Sequence, residues 1–335
     1  MRELTRTALA VGATFVLAFA SASPNAAAQS SGPILPGTEC PSFPADDALN
    51  TPISGLPVNP DSATWLASMD AATTYLHPDF GPSHNRKRPY GFPWQIVSPN
   101  QPLTPIRFLY AEESDPGPYP LSASTPIESG TDRHAIMVDP ATCTLYETFD
   151  THYRAGGKSK AGSGAIWSLA SDALRPAGWT SADAAGLPIL PLLVNYDELS
   201  SGAMDHAIQF TVACTQEAYL WPARHEAGQA SPSCPPMGAR FRLQAGFTLP
   251  ASACSAMCQT VLTTMKTYGL ILAQNGSNWY FAGTADTRWT SSEVDQLKQI
   301  PASDFEAVDE SCLMVDPDSA QALQPGTAAY AQSCG

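Results

Sequence analysis

Long hydrophobic runs are missing from this 335-residue chain. Nothing beyond the N-terminus approaches the roughly 18 consecutive apolar residues that a membrane-spanning helix needs, so no membrane span is expected. Positive charge is scarce too: 17 Lys and Arg stand against 31 Asp and Glu, a formal net charge of −14. Such a surface repels polyanions, which argues against nucleic acid as a partner. An anionic polysaccharide would need a local basic patch, and only Arg86-Lys87-Arg88 is dense enough to offer one. Known catalytic signatures are absent as well. Gly162-Ser163-Gly164 lacks the GxSxG elbow of serine hydrolases and its strand-to-helix setting. The tight His-x-His spacing of many β-barrel metal sites does not occur. No clean linker divides the chain, and no cofactor is expected.

What is present begins with an export signal. Arg2 and Arg6 make a positive n-region, Ala8 to Ala20 an apolar h-region broken by Gly12, and Ala26-Ala27-Ala28 before Gln29 a small-residue cleavage site. Residues 1–28 read as a signal peptide, and the mature chain as secreted, extracellular or periplasmic, and monomeric. No cysteine stands at the cleavage site to carry a lipid anchor. All eight cysteines follow it, an even number that predicts up to four disulfides in an oxidising compartment. Cys214 with Cys234, and Cys312 with Cys334, are natural local pairs. Cys254 and Cys258 have the spacing of one helical turn, which predicts that each bonds elsewhere, and a zinc site on that CxxxC lacks a second ligand pair.

In chain order, residues 29–89 predict an extension wound over the surface, with a short helix over 60–75 capped at Asp61 or Ser62. Residues 90–311 predict the core domain and 312–335 a disulfide-tethered tail. Strands are expected at 92–97, 106–111, 134–139, 143–149, 165–169, 206–212, 218–223 and 239–246, with a helix over 251–268 stopped by Gly269. A last hairpin around Asn275-Gly276 joins 270–273 to 279–282, and a short helix covers 291–300. The fold class is mainly β: an antiparallel β-sandwich or jelly-roll with long ordered loops and two or three peripheral helices.

One stretch organises the rest. In residues 174–199, Pro176, Pro188 and Pro191 forbid a helix interior, yet Trp179, Leu187, Ile189, Leu190, Leu192, Leu193 and Val194 are too apolar for a solvated loop. Burying irregular backbone demands partners for its amides and carbonyls. The plainer reading is a flap sealing one end of the sandwich, and the sharper one is a site built on the loop.

Alternation along the strands supplies candidates for that site. Leu145, Glu147 and Phe149 share a face, so Glu147 is a carboxylate among apolar neighbours, where a raised pKa is expected. His134 shares a face with Ile136 and Val138, and His206 with Ile208, Phe210 and Val212. These histidines could line one mouth with Glu147, beneath the loop. Glu147 is then a general acid and Asp183, in the loop, the second carboxyl of a glycosidase pair, with Asp197 and Glu198 behind it. Trp167, Trp179 and Trp221 would offer platforms for sugar rings, with Arg224 and His225 on the same rim. A His134, His206 and Glu147 metal site is an alternative, and a His/Tyr lyase acting on uronate is disfavoured by the acidic balance.

Glu112 to Pro120 (EESDPGPYP), residues 132–150, 162–198 and 206–225, Pro235-Pro236-Met237-Gly238 and residues 268–280 resemble a family of uncharacterised secreted bacterial proteins, through GWTSADAAGLPILP above all. The resemblance covers most of the mature chain and implies that it is one unit. It transfers no activity and no site residue. The expectation is a secreted carbohydrate-active enzyme, a glycoside hydrolase acting on a polysaccharide. The alternative is a non-catalytic glycan-binding or envelope protein of the same fold.

Overall fold

The computed structural model describes residues 32–82 and 89–335. The signal segment and Arg86-Lys87-Arg88 lie outside them. Among the described residues twelve strands form three sheets: β1 (His77–Pro78), β2 (Trp94–Ile96), β3 (Ile106–Phe108), β4 (Ala135–Asp139), β5 (Thr144–Phe149), β6 (Ser159–Ala161), β7 (Ser163–Ser168), β8 (Ile208–Val212), β9 (Arg240–Leu243), β10 (Leu270–Asn275), β11 (Tyr280–Phe281) and β12 (Phe305–Val308). Five α-helices accompany them: α1 (Ser62–Ser68), α2 (Tyr196–Ser201), α3 (Ala256–Thr267), α4 (Ser291–Leu297) and α5 (Ala328–Cys334). The protein is thus mostly β with helices.

The sheets are mixed, not antiparallel throughout as expected. A six-stranded sheet runs β1-β11-β8-β10-β9-β12, with β1–β11 and β8–β10 parallel. A four-stranded sheet runs β2-β4-β5-β7, with β2–β4 parallel, and β3 pairs β6 in parallel apart from both. The hairpin of 134–139 with 143–149 forms in the expected place as β4 and β5. The hairpin expected around Asn275-Gly276 does not form. β10 and β11 flank β8 on opposite sides, because residues 276–279 cross the end of β8 and bond to it: Gly276 N–H to Val212 O at 2.9 Å and Trp279 N–H to Thr211 O at 3.1 Å. Residues 218–223 form no strand and pair only through the isolated Tyr219–Met237 bridge, since Pro222 has no N–H to give a ladder.

The parallel β8–β10 pair needs a long crossover, and β9 and α3 provide it. Ser255 caps α3 by accepting from Cys258 N–H, and Gly269 ends it at φ +73°, where a Cβ would stand 2.5 Å from Phe241 O. α1 stops sooner than expected because Asp70 takes φ +55°. The helix expected over 291–300 forms as α4, capped by Thr290. Thr290 and Glu293 satisfy each other's backbone N–H groups in a capping box. Segments far apart in the described chain pair with one another. β1 and β12 are the edges of the large sheet, and Asp47 bridges Gln321.

Four disulfides close the chain: Cys40–Cys143, Cys214–Cys234, Cys254–Cys258 and Cys312–Cys334. Cys254 bonds Cys258 after all. It precedes the extended N-cap Ser255, so it is off the helix and can fold back onto it. Closure entropy grows with loop length, and Cys40–Cys143 spans 103 residues against 4 for Cys254–Cys258. Replacing Cys40 and Cys143 by Ala is expected to lower unfolding stability by about 4–5 kcal/mol, far more than the Cys254/Cys258 pair. Urea titration of both double variants decides it, and equal losses would contradict the loop-length argument.

Candidate functional site

The 174–199 stretch folds as its prolines dictate, with only a short 3-10 turn at Leu190–Leu192 before Asn195 caps α2. Leu187, Ile189, Leu190, Leu192, Leu193 and Val194 are all 3% exposed or less. They belong to one core with Ile136 and Leu145 of the small sheet and Ile208, Phe210 and Leu270 of the large one. The loop is therefore no flap over one end. It is hydrogen-bonded to both sheets and helps to fill the core that they share.

Part of its backbone is satisfied by side chains that sequence singled out. Glu147, fully buried on β5, accepts from Ile189 N–H (3.0 Å), Leu190 N–H (2.8 Å) and the Trp167 indole N–H (3.2 Å). Burial pushes its pKa up to about 7, and the three donors and His134 pull it back. With no exposed surface and its acceptors engaged, Glu147 is an anchor for the loop. It does not line a cleft as expected. His134 bonds Glu128 Oε2 through Nδ1 (2.6 Å) and Ala182 O through Nε2 (3.1 Å). His206 bonds Ala207 O through Nδ1 (2.7 Å) and Glu198 Oε2 through Nε2 (3.2 Å). Carboxylate and carbonyl partners on both nitrogens of each ring favour the doubly protonated imidazole. Burial opposes that charge, but Glu128 and Glu198 carry the two pKa values upward.

His134, near enough to act on Glu147, and His206 do not converge. His134 opens the small sheet and His206 precedes β8 of the large one, each on its own carboxylate. Among the described residues no group of three or more His, Cys, Asp or Glu has the arrangement of a metal site. The expected platforms also serve as structure. Arg175 stacks its guanidinium 5.5 Å from the rings of both Trp167 and Trp179. Trp221 donates to Ser319 O at 2.8 Å, and Arg224 is spent on Arg175 O, Pro317 O and Asp318. Asp197 pairs with Arg288 at 2.5 Å.

Two of the sequence-read residues do meet. A cleft of about 390 Å³ has Asp183 and His225 in its wall, with Tyr110, Glu113, Asp132 and Phe149. Asp183 is 3% exposed. Its Oδ1 accepts from Ala185 N–H (2.9 Å) and Leu187 N–H (3.0 Å), while Oδ2 has no hydrogen-bond partner. Burial pushes its pKa up to about 8, the Glu147 charge adds to that, and the amide of Leu187 opposes it. Burial and the neighbouring Glu147 charge thus favour the neutral carboxyl near pH 7. His225 Nδ1 donates to Ala184 O at 2.8 Å, which turns Nε2 toward Glu113 Oε2, 3.7 Å away.

No family model, curated protein or solved structure matches this chain. The cleft alone therefore carries the functional argument. Sequence reasoning missed Glu113 and Asp132. Glu113 falls in a single 3-10 turn and Asp132 in an irregular approach to β4, so no strand periodicity marks either. Only the proline-punctuated phrase EESDPGPYP drew attention near Glu113, without pointing to that side chain.

Proposed function

We propose that the protein is a secreted carbohydrate-active enzyme that hydrolyses a polysaccharide in the cleft of Asp183, Glu113 and His225. The observation that carries this reading is Asp183, a carboxyl held protonated near neutral pH in the wall of the cleft that also contains Glu113. Two carboxyl groups lining one cleft, one of them with a raised pKa, are the basic requirement of glycoside hydrolysis. The glycosidic C–O bond breaks as the proton of Asp183 passes to the departing oxygen. Water attacks the anomeric carbon and gives its proton to Glu113, whose Oε2 lies 3.7 Å from His225 Nε2. Four disulfides fit export to an oxidising compartment, as the N-terminal sequence and the resemblance to secreted bacterial proteins suggest. The sandwich arrangement of the two larger sheets around the 174–199 loop belongs to the same proposal.

A reducing-end release assay on a panel of polysaccharides tests it. Asp183→Asn and Glu113→Gln are each expected to cut release by about 100-fold or more, as loss of a general acid or base does. Urea midpoints at pH 8 should stay within about 0.5 kcal/mol of the parent or rise. Full release by both variants, or none by the parent, would defeat the hydrolase and leave a glycan-binding protein.

A further inference from the structure

We propose that the groove continuing from this cleft recognises a glycan bearing free amino groups, with an ammonium placed among Asp79, Asp132 and the carbonyl of Gln209. This names the substrate class of the hydrolase reading above and rests on it.

A second hollow of about 280 Å³ adjoins the first, and Asp132, Gln274 and Asn275 line both. The two are compartments of one groove, which suits a chain molecule with successive rings. The second is lined by three carboxylates, Asp79, Glu128 and Asp132, and no Lys or Arg among the described residues lines either compartment. Glu128 is already paired with His134. Asp79 accepts only the neutral Tyr90 hydroxyl, and Asp132 that of Thr131 at 3.0 Å. Gln209 is a separate pointer to a ligand. It is 3% exposed, lines the hollow, and its Oε1 is buried without a hydrogen-bond partner, as is Nε2 of Gln274 on the neighbouring strand, a donor for a sugar oxygen. An unpaired buried acceptor costs stability, and an N–H donor arriving from a ligand relieves it. An ammonium has three such donors and the charge that the carboxylates lack.

The titration of Asp79 agrees. Burial raises its pKa, with Glu128 and Asp132 adding to the rise and Tyr90 and His77 opposing it. The rings of Tyr90, Phe92 and Tyr280 complete the walls, faces on which both sugar C–H groups and cations rest well. A basic peptide fits less well. The floor is β8 and β10, interior strands whose backbone is already paired on both sides, so no strand can be added there.

Calorimetric titration of the disulfide-bonded protein with a glucosamine tetramer, its N-acetylated counterpart and a Lys-rich peptide of equal charge tests the proposal. The amine tetramer is expected to bind, and the N-acetylated form about tenfold or more weaker, the worth of one charge-assisted hydrogen bond. Asp132→Asn, on an exposed residue, and Asp79→Asn should each lose a similar factor for the amine form alone. Equal affinity for both tetramers, binding of the peptide but not the glycan, or no glycan binding would overturn it. Reducing-end release from the same tetramers separates the two readings. Amine-selective binding without release sinks the hydrolase alone, and release indifferent to acetylation sinks the amine preference alone.

Discussion

Replacing Glu147 by Ala is expected to destabilise the fold by about 5 kcal/mol, because three buried donors lose their acceptor and each orphan costs roughly 1–3 kcal/mol. Ile189 N–H and Leu190 N–H lie in the core-filling loop, and the Trp167 indole N–H lies on β7. None has a second residue among those described to turn to, and water does not reach a side chain that is 0% exposed. Against a typical total stability of about 5–15 kcal/mol, such a loss leaves little folded protein at 37 °C. Glu147→Gln should fall between the two. It keeps one carbonyl oxygen for the loop amides and presents an NH₂ to donors that cannot accept it. Guanidinium unfolding of both variants decides the matter. A loss below about 0.5 kcal/mol for Ala would mean that Glu147 anchors nothing. A stable Glu147→Gln protein without glycan hydrolysis would return Glu147 to the chemistry.

Stability is expected to fall by several kcal/mol as pH rises from about 4 to 8, since each tenfold gain in a group's proton affinity on folding is worth about 1.4 kcal/mol. Burial raises Glu147 and Glu310 to about 7 and Asp183 to about 8, from ordinary values of 4.5 and 3.8. Between those limits the folded protein holds protons that the unfolded chain has released. Their stabilisation is full below about 4 and is lost as pH climbs through the folded values. His134 and His206, also raised, act in the same direction above 6.5. Asp286, lowered by Arg288, acts the other way, and loses its contribution as pH falls through its folded value. Urea midpoints at pH 5, 6.5 and 8 should decline in that order. Asp183→Asn, which mimics the protonated acid, should flatten the decline and gain most over the parent at pH 8. Midpoints that rise from pH 5 to 8 would show that the buried carboxyls are charged and compensated.

The β4–β5 hairpin, α3 with its Gly269 stop, and the local disulfides Cys214–Cys234 and Cys312–Cys334 were legible in the sequence because each depends on neighbours in the chain. So was the burial of Glu147, since alternation along one strand fixes its face. The use of that burial was not legible. Whether a buried carboxyl meets substrate or backbone amides depends on what packs over it, and residues 189 and 190 come more than forty positions later. The same holds for β8 between β10 and β11, and for a cleft assembled from residues 110 to 275. By itself the sequence determined the acidic net charge, the mostly β body and a loop too apolar to be exposed. Tertiary structure alone decided that the loop joins two sheets, that Glu147 holds it, and that Asp183, Glu113 and His225 line one cleft, because long-range partners leave no mark on local patterning.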